Sequence, residues 1–189
     1  MITYEFPVFI IMLISLCIHV ILRYKKKISI RTFYYGMLFS LYISVVVAVT
    51  MFPFPFQKEL LLVNREGDRY IHNNFIPLYG IIKTIFQNGS GFGLSIFIRQ
   101  IVGNIVLFVP LGYIMLLIYP TMKEKKVFLV GMCISIFIEM MQALGNYIVG
   151  YHYRIVDIDD IICNTLGVFV GIILYKMCIK VWKKMRLRV

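Results

Sequence analysis

The chain has 189 residues, 60% hydrophobic and only 15% charged, with a formal net charge of +11 and a mean hydropathy of +0.84. That balance excludes an ordinary soluble globular domain and predicts an all-α, polytopic membrane protein. The basic excess is not a nucleic-acid surface, because it is divided among three segments that flank apolar stretches, where it reads as membrane topology and contact with anionic lipid.

Five stretches approach the roughly 20 residues a helix needs to cross hydrocarbon, at about residues 5–22, 33–52, 100–119, 127–145 and 160–179. The first opens Phe6-Pro7-Val8-Phe9-Ile10 and runs to Leu22. No basic region precedes it and no small-x-small cleavage site follows, so it is read as a retained anchor rather than a signal peptide. The second ends at Pro53-Phe54-Pro55-Phe56, where proline stops the helix and aromatic rings suit the membrane interface.

The linker from Pro53 to about Arg99 is too long for a simple turn. Within it, Phe75 to Phe86 is apolar but too short to span, and is expected as an interfacial or re-entrant segment on the outer side. Arg65, Asp68, Arg69, His72 and Asn73 read as solvated loop. Asn74 is the expected exception, because it directly precedes the buried-looking Phe75-Ile76-Pro77. Asn88-Gly89-Ser90-Gly91-Phe92-Gly93 reads as flexible loop.

The third span opens with Arg99, Gln100 and Asn104. Gln100, Asn104, Phe108 and Gly112 recur every four residues and therefore share a helix face. Asn104 needs a partner at that depth, since a bare amide in hydrocarbon is costly. Pro110 removes a backbone donor and is expected to kink the helix. In the fourth span Ser135, Glu139 and Gln142 fall on one face. A charged Glu139 would need Arg99 or Arg154 within reach.

The fifth span follows Arg154-Ile155-Val156-Asp157-Ile158-Asp159-Asp160. Asp157 can cap the helix, and Asp160 suits its first turn. A stripe of Asp157, Asp160, Asn164, Gly167 and Gly171 continues down one face, and its GxxxG end predicts close packing of another helix. Asp159 lies off the stripe and is expected to face water or headgroups.

Fourteen of the 20 Lys and Arg residues fall at Arg23 to Arg31, Lys123 to Lys126 and Lys176 to Arg188. That asymmetry predicts an outer N-terminus and a cytoplasmic C-terminus. The 189 residues suit a single membrane domain. Cys17, Cys133, Cys163 and Cys178 all fall within predicted helices and suggest neither a disulfide framework nor a metal knuckle. Asn104, Glu139, Gln142, Asp157, Asp160 and Asn164 are thus expected to converge near the outer mouth, with Arg99 and Arg154 balancing the carboxylates.

These residues carry a family resemblance. Asn74-Phe75-Ile76-Pro77, the run from Asn104 to Gly112, Ser135 to Gln142 and Arg154 to Gly167 resemble the VanZ-like family of small bacterial membrane proteins, over about residues 40 to 177. The resemblance implies a multi-pass protein of the bacterial cytoplasmic membrane with an outer-leaflet role in cell-envelope physiology. The family is named for an accessory protein associated with reduced susceptibility to teicoplanin. The resemblance also implies that Glu139, Gln142, Arg154, Asp157, Asp160 and Asn164 matter.

Three functional classes remain open on the sequence. One is a binding or accessory protein for a membrane lipid or a lipid-linked, peptidoglycan-related precursor, with Arg99, Asn104, Gln142, Arg154 and Asn164 contacting it. Another is an enzyme in which Glu139 and Asp157 or Asp160 divide acid and base roles. The same carboxylates could instead hold a divalent cation, with Asn164 helping and His72 or His152 as further ligands. A small transporter is the third, although five spans show no inverted repeat; a homodimer would supply the missing half.

Overall fold

In hydrocarbon a backbone must satisfy its own donors and acceptors, and a single apolar segment can do so only as a helix. The computed structural model describes residues 2–55, 57, 61, 73–79, 82, 86 and 90–186. Among them are five helices long and apolar enough to cross a membrane. They are α1 Glu5–Tyr24, α2 Ile30–Met51, α3 Ser90–Ile118, α4 Glu124–Val149 and α5 Ile158–Arg186. All five expected spans are present, and no strand occurs among the described residues.

One boundary differs from expectation. Ser90 to Gly93, read from its glycines as loop, is the first turn of α3. Helical hydrogen bonding near a membrane outweighs a glycine penalty of about 1 kcal/mol per residue. Pro110, the position of the expected kink, lies inside α3. Arg65, Asp68, Arg69, His72, Asn88 and Gly89 lie outside the described residues, as does much of the 75–86 segment.

Contacts divide the chain into two units, Met1–His72 with Met140–Ile155, and Asn73–Glu139 with Val156–Val189. In the first, α1 and α2 form a hairpin joined by a polar node. Ser15 Oγ donates to Ser40 Oγ at 2.6 Å, and Ser40 Oγ bonds the Gly36 carbonyl at 2.9 Å. Gly36 lacks a side chain where the His19 ring docks; any Cβ there would overlap the imidazole. Ser29 caps α2 by accepting the Thr32 N–H at 3.1 Å.

The second unit centres on α3 against α5. A Cβ at Gly112 would strike the Val168 carbonyl oxygen, one at Gly167 the Ile105 carbonyl, and one at Gly171 the Val109 carbonyl. The GxxxG pair therefore packs backbone against backbone on α3, as expected of small residues in membrane helices. On α4, Gly131 receives Val168 in the same way. Phe108, Leu111, Val127 and Val168 are fully buried. An exposed ion pair, Lys176 Nζ to Glu124 Oε1 at 3.0 Å, links α5 to the start of α4; such pairs contribute at most about 1 kcal/mol.

Candidate functional site

The second unit gathers Glu139, Asp157, Asp159 and Asp160 where α5 begins. Asp157 occupies the N-cap position. Its Oδ1 accepts the Asp159 N–H at 2.8 Å, and its carbonyl accepts the Asp160 N–H at 3.2 Å. This is the side-chain cap expected of aspartate there. Its own N–H donates to Glu139 Oε2 on α4 at 3.0 Å.

Amides from α3 complete the arrangement. Gln100 Nε2 reaches Asp157 Oδ2 at 3.3 Å and Asp160 Oδ1 at 3.2 Å. Asn104 Nδ2 donates to the same Asp160 Oδ1 at 2.5 Å. The four-residue spacing of Gln100 and Asn104 thus presents two amides to one carboxylate, while Phe108 and Gly112 on that face pack inward. One turn deeper on α5, Asn164 Nδ2 donates to Ser135 Oγ on α4 at 2.9 Å. Asn164 Oδ1 is buried and accepts no hydrogen bond.

The 73–79 segment straps across this end of α5. Asn74 N–H donates to the Val156 carbonyl at 2.9 Å, and Ile158 N–H to the Asn74 carbonyl at 3.0 Å. The Asn74 amide donates to Asp157 Oδ1 at 2.8 Å and to Asp159 Oδ2 at 3.2 Å. Leu78 N–H donates to Asp159 Oδ1 at 2.8 Å, and Val156 N–H to Asn73 Oδ1 at 3.1 Å.

Three expectations are corrected here. Asp159 does not face water: it is 5% exposed, because its carboxylate satisfies strap donors that no helical stripe reveals. Asn73 is not a solvated loop residue, since its side chain accepts from the main chain. Phe75 and Ile76 are exposed rather than buried, with Leu78, Tyr79, Ile82 and Phe86. Their apolar surface suits a membrane interface.

The electrostatics are one-sided. Glu139 is 4% exposed and lies within reach of the Asp157 and Asp160 charges. Burial raises the Asp157 carboxyl above its ordinary value, and the Asp159 charge adds to the rise; hydrogen bonds from the Asp159 N–H, Asn74 and Gln100 oppose it. Arg99 is exposed and pairs with no carboxylate among the described residues. Nor is any group of three or more His, Cys, Asp or Glu side chains among them arranged to hold a metal ion.

Two expected site residues belong to the first unit. Arg154 directs its guanidinium to the Val49 carbonyl at 3.2 Å and the Phe52 carbonyl at 2.6 Å. These acceptors lie at the C-terminal end of α2, where positive charge is favoured. Asn146 holds the Arg154 backbone in both directions, at 2.7 Å and 3.2 Å. Gln142 Nε2 donates to the Thr50 carbonyl at 3.1 Å, and its Oε1 is buried without a partner. Gln100, Asn74 and Asp159 are the members of the carboxylate cluster that the expected set omits. The four-residue spacing from Asn104 could have supplied Gln100.

A family model described as VanZ/LLP1 matches residues 39–180. No curated protein and no solved structure matches the chain.

Proposed function

From the premise that the chain belongs to the VanZ/LLP1 family, we propose that it is a cell-envelope accessory protein that lowers susceptibility to glycopeptides of the teicoplanin type. In this reading it lies in the bacterial cytoplasmic membrane, N-terminus outside, and binds a lipid or a lipid-linked, peptidoglycan-related component at the outer leaflet. The positive charges around the spans support that orientation. The observation that carries the reading is the carboxylate–amide cluster of Glu139, Asp157, Asp160, Gln100 and Asn104 beside the α5 N-terminus. Ionisable groups grouped at the edge of a membrane bundle, with their partners provided, are ordinarily functional.

The unlike settings of two acids favour a second reading, a carboxylate-dependent enzyme acting on an envelope lipid. Glu139 is buried and Asp160 is half-buried, and such a difference can separate acid from base. The direct test of the first reading is growth at graded teicoplanin concentrations with and without the protein. Protection confined to glycopeptides supports it, and behaviour identical to an empty vector contradicts it.

A further inference from the structure

At the end of α3 away from the carboxylate cluster, the chain turns through residues 119–123 into α4. The Tyr119 carbonyl accepts the Met122 N–H at 3.0 Å. The Lys123 carbonyl accepts the N–H groups of Lys126 and Val127 at 2.8 Å and 3.2 Å. These bonds close the turn and start the helix. A cleft of about 360 Å³ opens there, lined by Tyr119, Thr121, Met122, Lys123 and Lys126. Its volume is at the lower end of the range for ligand clefts.

The charge of the cleft is one-sided. Lys123 and Lys126 form no ion pair among the described residues. Glu124, the only carboxylate between Tyr119 and Lys126, does not line the cleft and is engaged by Lys176 at 3.0 Å. The first turn of α4 begins at the same place, and its dipole adds positive potential. Thr121 and Tyr119 bring hydroxyls that can donate to an anion.

Depth identifies the anion. The apolar span of α3 ends at Ile118 and that of α4 begins at Glu124, so the cleft lies where hydrocarbon gives way to headgroups. Tyr119, 55% exposed, is a residue type suited to that layer. A nucleic acid or an acidic protein would have to reach through the headgroups to enter the cleft, whereas lipid phosphate is already at that level.

We propose that Lys123 and Lys126, with the Thr121 and Tyr119 hydroxyls, seat the phosphate of an anionic membrane lipid in this cleft. Basic pockets at the ends of membrane helices hold anionic headgroups in this way. The site is separate from the carboxylate cluster and does not depend on the glycopeptide reading. It also goes beyond a diffuse attraction between basic segments and the membrane, because it requires the lysines of the cleft rather than any lysines at this end of the protein.

The test is native mass spectrometry of the full chain, equilibrated with equal amounts of phosphatidylglycerol and phosphatidylcholine of the same acyl chains. Wild type is expected to retain phosphatidylglycerol in preference by about tenfold, the range of two lysines near an anionic surface. K123Q/K126Q is expected to lose that preference while keeping its helical content and unfolding temperature, since both side chains are exposed. K183Q/K184Q removes the same charge from exposed positions on α5 outside the cleft, and should keep the preference. T121V should lower it with no change of charge. Equal retention of both lipids by wild type would overturn the proposal. Equal losses in the two double variants would also overturn it, by reducing the effect to diffuse charge. Competition by inorganic phosphate as effective as that by phosphatidylglycerol would overturn the assignment to a lipid.

Discussion

The main-chain N–H of Asp157 donates to Glu139 Oε2 at 3.0 Å, across 18 residues of sequence. The bond fixes the start of α5 against the middle of α4 and makes Glu139 structural and electrostatic at once. Those roles can be separated by substitution. Glu139→Gln keeps an oxygen for the Asp157 N–H and removes the charge; Glu139→Ala leaves a buried donor unpaired. The alanine variant should lose about 1–3 kcal/mol, read as a lower unfolding temperature in detergent. The glutamine variant should stay close to wild type.

Helix contact at the glycines predicts a sharp contrast. Gly171→Ala places a methyl against the Val109 carbonyl and should cost about 1–3 kcal/mol through overpacking. Nothing lies within 4 Å of a Cβ built on Gly103. Gly103→Ala should therefore be neutral or stabilising by up to about 1 kcal/mol. Thermal unfolding of the two variants side by side checks the α3–α5 packing.

Asp157 predicts a pH dependence. Its carboxyl holds its proton more tightly in the folded state than in the unfolded chain, chiefly through burial. Its contribution to stability is thus full below the ordinary value of 3.8 and is lost as pH rises through the higher folded value. Asp157→Asn retains a capping oxygen for the Asp159 N–H and removes the titration. Unfolding temperature measured from acid to neutral pH should fall less steeply in that variant than in wild type.

Much of the fold was legible in the sequence, because helices in hydrocarbon announce themselves by length and apolar content. The Gly167–Gly171 stripe also located its close-packing partner surface. The site was legible where helical spacing governs it: Asn104, Glu139, Asp157, Asp160 and Asn164 all lie in one unit. It was not legible where a non-helical strap supplies the partners. Asp159 faces away from the helical stripe yet is claimed by Asn74 and Leu78, and no periodicity encodes that pairing. The expected arginine compensation illustrates a different limit. Arg154 has carbonyls at the end of α2 as its partners, and charge alone does not reveal that a guanidinium will cap a helix.

That capping role makes its own prediction. Arg154→Ala should leave the Val49 and Phe52 carbonyls without their charged donor, at a cost of about 1–3 kcal/mol. Hydrogen exchange should then accelerate in the last turn of α2, with the α3–α5 contact unchanged.

The central claim is that the carboxylate cluster acts on the cell envelope and is more than a brace between helices. Teicoplanin susceptibility of cells holding wild type, E139Q and D160N at matched membrane levels tests it most directly. The account predicts protection by wild type that both variants lose while remaining folded and abundant. Full protection by both variants would contradict it.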